Sequence, residues 1–270
     1  MSDVAMRSSA ARRVVEYRGG GFVAMPKPIY SWLVFAALLA FWQFSVSGGW
    51  INPVFLPSPA SIGIAVWELI LSGDFSKHLT ASLGRIASGW LWGTGLGVVA
   101  GVAMGLLSVL RAVGIPLVSV LYPIPKIAIL PLLILWMGIG EAPKVVTIAS
   151  GVFFPTIIAT LAGVDAVPRN LIRMAQSFNL PMWSILTKII LPSALPSILA
   201  GFRISISTAL ILVVAAEMIG AQFGVGAFLL TAGNLMQSDE LMAGVVILSV
   251  LGLAFGSILT VIERVFLAWR

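Results

Sequence analysis

Residues 165–201 read DAVPRNLIRMAQSFNLPMWSILTKIILPSALPSILAG, a partly polar stretch with a long apolar run on either side. Pro168 suits the first turn of a helix, where its missing N–H costs no hydrogen bond, and apolar residues then recur at helical spacing. Asn179 readily takes the left-handed conformation that ends a helix, and Pro181 prevents simple continuation. A second amphipathic helix follows until Pro192 interrupts it. The stretch is therefore predicted to form two short helices joined by a sharp turn.

The composition indicates a membrane protein. Hydrophobic residues make up 59% of the 270 residues and charged residues 10%, whereas about a quarter of a typical soluble domain is charged. The predicted fold class is all-α, with apolar helices that span a membrane and with the polar stretch outside it. The net charge of +6 requires no nucleic acid, because an anionic membrane surface attracts basic residues. The absence of cysteine excludes disulfides, cysteine-bound zinc and thiol catalysis.

Six apolar runs have roughly the 20 residues that a helix needs to cross about 30 Å of hydrocarbon. They are Ile29–Val46, Leu83–Leu107, Ile115–Met137, Val145–Ala162, Leu195–Ile219 and Leu241–Val261. Residues 1–28 are polar and basic, without an apparent cleavable signal peptide, and are predicted to form a tail before a transmembrane domain at 29–270. Lysine and arginine concentrate in this tail, in residues 165–192 and at the C-terminus, which predicts that all three are cytoplasmic.

The connection between the first two spans is rich in proline and cannot be a membrane helix. Ser58 to Leu71 is expected to form an interfacial helix that begins at a serine or proline cap, or else a packed loop. His78 is the only histidine of the chain, so no histidine-based metal cluster or catalytic triad can form, and we expect a solvated loop residue. No metal site and no catalytic residue are predicted.

Four segments carry a resemblance to a known family. One cytoplasmic signature of that family reads Glu-Ala-Ala, three residues, Gly, nine residues, then Ile-x-Leu-Pro. Its spacing is met by Ala175, Asn179, Ile189, Leu191 and Pro192. The other segments are FLPSPASI (Phe55–Ile62), YPIPKIAILPLLILWMGIGEAPK (Tyr122–Lys144) and VAAEMIGA (Val214–Ala221). In these residues the chain resembles the permease subunits of bacterial ABC importers, in the branch that serves nitrate, sulfonate, taurine and bicarbonate uptake.

Three positions depart from the signature. Arg173 stands at its glutamate, Met174 at its first alanine and Asn179 at its glycine. Asparagine keeps the left-handed corner available, so the turn is expected to form. Arginine reverses a charge at the surface that would meet a partner, which changes the polar contacts expected there.

The resemblance implies a type I ABC importer permease fold, with about six transmembrane helices and a cytoplasmic coupling helix between the fourth and fifth, in a coupling segment at 165–192. It implies a permease homodimer in the bacterial inner membrane, two ATPase subunits that bind ATP and magnesium, and a periplasmic or lipid-anchored solute-binding protein. No cofactor is expected in this chain, because its sequence contains no phosphate-binding loop motif. The residues implied to contact the ATPase are Arg169, Arg173, Met174, Ala175, Gln176, Ser177, Phe178, Asn179 and Leu180.

Charged residues inside a membrane are costly and suggest function, which makes Lys126, Arg203 and Glu217 candidates for contact with a transported solute. Lys126 and Arg203 could attract an anion, in agreement with the small sulfonate, taurine or nitrate that the resemblance implies. Alternatively, Arg203 extends to the cytoplasmic surface, and Glu217 pairs or caps near the outer surface.

Glycine recurs at every fourth residue of the second predicted span. The row consists of Gly89, Gly93, Gly97, Gly101 and Gly105. Such a row lets another helix backbone approach closely. Two interpretations remain open: a tight, sliding helix contact along the translocation pathway, or static packing inside one subunit.

Two rival functions belong to other classes. An ion-gradient-driven secondary transporter would show paired inverted repeats, broken helices and buried carboxylates that bind the ion, and no convincing repeat is seen. A membrane anchor or uncoupled channel would leave the cytoplasmic signature without a role.

Overall fold

The computed structural model describes residues 28–73 and 75–268, which form helices and no strands and so confirm the predicted all-α class. The helices are α1 (Pro28–Ser47), α2 (Pro59–Ser72), α3 (Phe75–Leu106), α4 (Ser108–Leu121), α5 (Lys126–Met137), α6 (Glu141–Asp165), α7 (Arg169–Ser177), α8 (Met182–Ile185), a π-helical segment (Leu186–Ile190), α9 (Leu191–Met218), α10 (Val225–Asn234) and α11 (Ser238–Phe266). A first compact unit ends at Asn52 and holds α1, and a second begins at Pro53 and holds the other helices. The predicted tail, residues 1–28, lies outside the described residues except for Pro28.

Five helices of the described residues are long and apolar enough to cross a membrane. They are α1, α3, α6, the continuous helix from α8 through α9 (Met182–Met218) and α11. Together α4 and α5 pass the same test, but their axes meet at 98°. The prediction of about six spans is therefore confirmed, with a break inside the third.

The glycine row of α3 lies against α6 within the same chain. The facing pairs are Gly89–Ile148, Gly93–Val152, Gly97–Thr156, Gly101–Thr160 and Gly105–Val164. The residue numbers increase in the same direction along both helices, so α3 and α6 run parallel. A Cβ atom added at these glycines would lie 2.2 to 2.8 Å from its nearest atom on α6. The two helices can approach this closely only because the row carries no side chains.

The parallel arrangement of α3 and α6 requires the chain between them to return across the bundle. At the start of this return, Arg111 of α4 pairs with Asp165 at the end of α6. Lys126, the first residue of α5, lies over the ring of Phe154 near the middle of α6. Helix α5 then ends shortly before Glu141, where α6 begins. The α4–α5 pair therefore makes one crossing with a break near its mid-depth, and it is not a re-entrant loop.

Helix α9 packs antiparallel to α6. Gly151 of α6 lies against Leu212 near the end of α9, whereas Gly163 lies against Ala194 near its start. Gly201 of α9 in turn faces Ala159. Since α6 contacts both α3 and α9 in this way, it is the central helix of the second unit.

Pro192 does not interrupt the second helix after the corner, contrary to the prediction. The N–H of Leu191 donates to the carbonyl of Leu186, five residues back, as expected of a π-helical turn. Proline has no N–H to donate to the regular hydrogen-bond ladder of a helix. The wider π-helical turn allows the helix to continue through Pro192. The fifth span therefore belongs to one helix from Met182 to Met218 and does not start at Leu195.

The ends of other elements also differ from the predictions. Helix α3 begins at Phe75 and includes His78, which is part-buried, lies 2.9 Å from the carbonyl of Gly224 and contacts the ring of Phe228. His78 is therefore a packed helix residue and not a solvated loop residue. The short helix α10 was not predicted. The helix expected from Ser58 is confirmed as α2, where the Ser58 hydroxyl accepts the N–H of Ser61 at 3.1 Å.

We expect Gly93→Ala to destabilise the protein and Gly95→Ala to leave its stability unchanged or slightly higher. A Cβ at Gly93 would lie 2.2 Å from Val152 Cγ2 and 2.4 Å from the carbonyl oxygen of Ala149, whereas at Gly95 nothing lies within 4 Å. Forcing the helices apart should cost about 1–3 kcal/mol, while Gly95→Ala adds up to about 1 kcal/mol of helix propensity. Thermal unfolding in detergent, followed by tryptophan fluorescence, measures both. Equal melting temperatures for the two variants would contradict the α3–α6 contact.

Candidate functional site

The corner after α7 is a Schellman motif. Asn179 has a φ of 52°, so its predicted left-handed conformation is confirmed. The N–H of Leu180 donates to the carbonyl of Ala175 at 3.2 Å, and the N–H of Asn179 donates to the carbonyl of Gln176 at 2.9 Å. These two bonds define the motif and satisfy carbonyls that the end of α7 would otherwise leave without donors. The chain therefore turns sharply from α7 into α8.

The outward side of α7 carries two large apolar side chains. Met174 is 53% exposed and Phe178 is 72% exposed. Ala175 points the other way and is 2% exposed, packed with Val167 and Ile185. The side chain of Ala175 therefore attaches α7 to the bundle, and its contact with a partner stays a prediction.

The polar residues predicted for contact are on the exposed surface of α7 and its corner. They are Arg169, Arg173, Gln176 and Ser177, and Asn179 and Leu180 are exposed beside them. The Ser177 hydroxyl donates to the carbonyl of Met174 at 2.7 Å, so it is partly occupied by its own helix. Within the described residues neither Arg169 nor Arg173 forms an ion pair. The surface of α7 therefore combines apolar side chains with positive charge.

Two further exposed side chains follow the corner. Met182 is 55% exposed and Trp183 is 72% exposed. Trp183 was not predicted as a contact residue, because amphipathic spacing favours the residues that pack inward, such as Ile185, which is 3% exposed. A tryptophan in the turn after a helix stop is the signal that could have identified it. The apolar surface at this end of the bundle is thus larger than α7 alone.

Glu217 lies at the other end of the second unit and is buried. Its carboxylate accepts hydrogen bonds from the Ser82 hydroxyl at 2.7 Å, from Arg85 Nη1 at 2.7 Å and from the N–H of Gly226 at 2.9 Å. Glu217 thus pairs with α3 and caps the start of α10. This geometry corresponds to the second interpretation of Glu217, in which it pairs or caps.

Arg85 joins this network to the start of α6. Its guanidinium forms a bidentate pair with Glu141 at 2.5 and 2.7 Å, and Nη1 also donates to the carbonyl of Phe223 at 2.7 Å. Glu141 is largely exposed, whereas the Arg85–Glu217 pair is buried, and removing one partner of that buried pair is expected to cost about 3–5 kcal/mol. We call Ser82, Arg85, Glu141 and Glu217 the charged cluster. It connects α3, α6, α9 and α10 at the end of the unit opposite α7.

Arg203 and Lys126 differ in how their charges are balanced. Arg203 Nη2 lies 2.7 Å from a carboxylate oxygen of Glu263, and both side chains are partly exposed. Lys126 Nζ donates to the carbonyl of Leu121 at 2.5 Å and lies 4.4 Å from the centre of the Phe154 ring. No carboxylate among the described residues pairs with Lys126. Among the described residues, Arg203 and Glu217 each pair with an opposite charge, and Lys126, the third candidate solute contact, does not.

Comparison with known proteins agrees with this architecture. Residues 93–268 match the family of binding-protein-dependent transport system inner membrane components. The chain is 36% identical over 245 residues to a Bacillus subtilis (strain 168) protein named as an aliphatic sulfonates transport permease, SsuC, with 89% of each chain covered. It is 34% identical over 240 residues to the taurine transport system permease protein TauC of Escherichia coli (strain K12), with 87% of each covered.

Solved structures share the fold. A chain of the MetNI methionine ABC transporter in an inward-facing conformation has a TM-score of 0.64 at 19% identity, and the match covers 71% of this chain and 95% of that one. A chain of an amino acid ABC transporter with histidines has a TM-score of 0.51 at 16% identity, with 73% and 97% covered. The predicted fold of an ABC importer permease is therefore confirmed.

We expect Asn179→Val to loosen α7 and Asn179→Gly to preserve it. A β-branched residue in the left-handed conformation costs about 1–2 kcal/mol, and this amount changes the ratio of closed to open helix by a factor of roughly 5 to 30. Trypsin cleavage after Arg169 and Arg173, followed by mass spectrometry, measures that opening. Equal cleavage rates in the two variants would show that the corner does not hold α7 in place.

Proposed function

The chain belongs to the family of binding-protein-dependent transport system inner membrane components and is the translocation subunit of an ABC importer, and we propose that its solute is a small organic sulfonate such as taurine. The proposal on the solute is supported by two relatives that cover most of the chain and are named for aliphatic sulfonates and for taurine. A monoanionic headgroup is also compatible with the unbalanced charge of Lys126.

We place α7 on the cytoplasmic side, where it docks on an ATPase subunit. The observation that carries this assignment is the exposed pair Met174 and Phe178 on a short helix that the Schellman corner holds rigidly between two membrane helices. Apolar anchors that enter a pocket supply most of the binding energy of such contacts. Arg169 and Arg173 would favour an acidic rim around that pocket. The N- and C-termini then also lie in the cytoplasm, as the lysine and arginine distribution predicts.

Force reaches the membrane helices through short connections. Three residues join α6 to α7 and four join α7 to α8, so a displacement of α7 moves α6 and the α8–α9 helix with little slack. ATP binding and hydrolysis on two partner ATPases would drive two permease copies between inward-open and outward-open packings. A solute-binding protein, free in the periplasm or lipid-anchored, would deliver the solute on the opposite side. We assign no catalytic group to this chain.

The ion-gradient alternative receives no support from the carboxylates in the spans. That alternative requires buried carboxylates that bind the ion, and the oxygens of the buried Glu217 are occupied by Ser82, Arg85 and the N–H of Gly226. A cation would have to displace a buried guanidinium to reach it.

We expect the double change Met174→Ala with Phe178→Ala to release the ATPase. Truncating one buried anchor typically costs at least about 2 kcal/mol, which is a loss of affinity of roughly 30-fold or more. Co-purification of the ATPase with tagged permease, and ATP-driven uptake in proteoliposomes, measure the effect.

Phe55→Ala is the matched control for this experiment. Phe55 is 81% exposed and precedes α2 at the end of the unit opposite α7, so the same truncation there should leave the ATPase bound. If the double variant keeps the ATPase and supports uptake, the docking assignment is wrong.

We expect the solute-binding protein that works with this permease to bind taurine and short alkanesulfonates and to bind nitrate and bicarbonate weakly. The discrimination follows because a sulfonate is tetrahedral and carries an organic substituent, so it fills a larger pocket than the planar nitrate or bicarbonate does. Isothermal titration calorimetry against these solutes measures it. Tight binding of nitrate or bicarbonate alone would reassign the transported solute without affecting the role of α7.

A further inference from the structure

We propose that the break between α4 and α5 carries an anion-binding site of the translocation pathway, at which Lys126 contacts the sulfonate group of the solute. The inference rests on the proposed function, since it assigns the residue that would meet the solute inside the membrane. It is carried by four observations: the depth of the break, its exposure, the unbalanced charge of Lys126 and a groove that leads to the break.

The break lies near the middle of the membrane crossing. Lys126 Nζ is 4.4 Å from the centre of the Phe154 ring, and the Tyr122 ring is 6.3 Å from it. Phe154 is close to the midpoint of the 25-residue helix α6. The chain at residues 122–125 thus gives up helical structure at the depth where hydrocarbon offers no hydrogen bonds.

The break is also exposed. Tyr122 is 46% exposed and Ile124 is 39% exposed, and Pro123 and Pro125 are exposed as well. Non-helical backbone at this depth is stable only where protein covers it or where it lines a water-filled cavity. The rest of the second unit leaves this backbone uncovered, so we assign it to the aqueous pathway.

Lys126 places a positive charge at this point. An ammonium has three N–H donors, and the carbonyl of Leu121 accepts from one of them at 2.5 Å. The Phe154 ring offers its face to the same ammonium. Donors therefore remain for a ligand, and a charge at mid-depth without a carboxylate beside it attracts an anion. Arg203 and Glu217 lack this property, because Glu263 and Arg85 respectively neutralise them.

A groove between α4 and α6 joins the break to the α7 end of the bundle. It has a volume of about 410 Å³ and is lined among others by Tyr122, Ser119, Ile115 and Ile158. Sites for small molecules typically have about 300–1,000 Å³. At its far end Arg111 and Asp165 form a bidentate pair at 2.7 and 2.6 Å with side chains 41% exposed. A small solute could thus lie between the break and this ion pair.

Uptake by Lys126 variants provides the first test. The complete transporter, with its ATPase, is reconstituted in proteoliposomes that contain ATP, and the binding protein and labelled taurine are added outside. We expect Lys126→Met to reduce ATP-driven uptake about 10- to 100-fold, as for loss of a hydrogen bond to a charged group. Lys126→Arg should retain most of the uptake. The melting temperature of each variant is measured beside uptake, with Lys126→Arg as the reference.

If uptake and melting temperature both fell in Lys126→Met, the role of Lys126 would be structural, as a cap on the last carbonyls of α4. That result overturns the proposal, as does full uptake by Lys126→Met. The outcome is distinct from failure of the proposed function, in which the unchanged permease would neither retain the ATPase nor support uptake.

Thiol labelling provides a second test that does not depend on the solute. The chain has no cysteine, so Ile124→Cys gives this subunit a single thiol at the break. Anionic sulfonatoethyl methanethiosulfonate is itself a sulfonate, and its trimethylammonium analogue carries the opposite charge. We expect the anionic reagent to label this thiol in the assembled transporter, and we expect Lys126→Met to lower the ratio of anionic to cationic labelling about tenfold.

Leu96→Cys is the matched control for labelling. Leu96 is 56% exposed, precedes a glycine that faces Thr156, and lines a groove formed mainly by apolar side chains of α3 and α6. Its thiol should react slowly with both reagents. Equal labelling at Ile124→Cys and Leu96→Cys, no labelling at Ile124→Cys, or a ratio that Lys126→Met leaves unchanged would each overturn the assignment.

Discussion

The close approach of α3 and α6 determines the layout of the second unit. In a membrane, apolar side chains gain little by leaving lipid for protein, so helix association depends on tight packing. The glycine row of α3 provides it, because each glycine accommodates a side chain such as Val152 or Thr156 directly against the α3 backbone. The contact holds the two helices parallel. A parallel pair requires a return crossing between its members, and the broken α4–α5 span makes that crossing.

Charge is distributed unequally along this layout. At the end opposite α7, the charged cluster buries Arg85 and Glu217 and satisfies both. Near mid-depth, Lys126 has a carbonyl and an aromatic ring beside it but no carboxylate among the described residues. At the α7 end, Arg169 and Arg173 are exposed. Arg85 and Glu217 are thus paired, whereas Lys126, Arg169 and Arg173 form no ion pair among the described residues and lie where we propose contact with the solute and with the ATPase.

Local chemistry explains which features could be predicted from the sequence. The stop at Asn179 depends only on nearby residues, and so does the Ser58 cap of α2. The helix through Pro192 was predicted wrongly, because a π-helical turn that absorbs a proline has no distinct sequence pattern. The burial of Ala175 could not be predicted, because membership in a signature does not tell which face of α7 a residue occupies. Both cases arise where local rules allow two conformations or two faces.

Long-range pairing could not be predicted in the same way. Arg85 and Glu217 are separated by 132 residues, and the sequence gives each an isolated charge in an apolar run. Pro123 and Pro125 mark the position of the break in the sequence, but its 98° bend depends on tertiary packing, of α4 against α3 and of α5 against α6. Helix α10 is too short and too rich in small residues to stand out, and its start depends on capping by Glu217.

The charged cluster has a mechanical consequence. Separating α3 from α9 at that end would strand a guanidinium and a carboxylate in a medium that solvates neither, whereas the contacts of α7 with the bundle are largely apolar and break at lower cost. The stiffness of the unit is therefore graded along its length. A force applied at α7 would displace the helices most at that end of the unit and least beside Ser82.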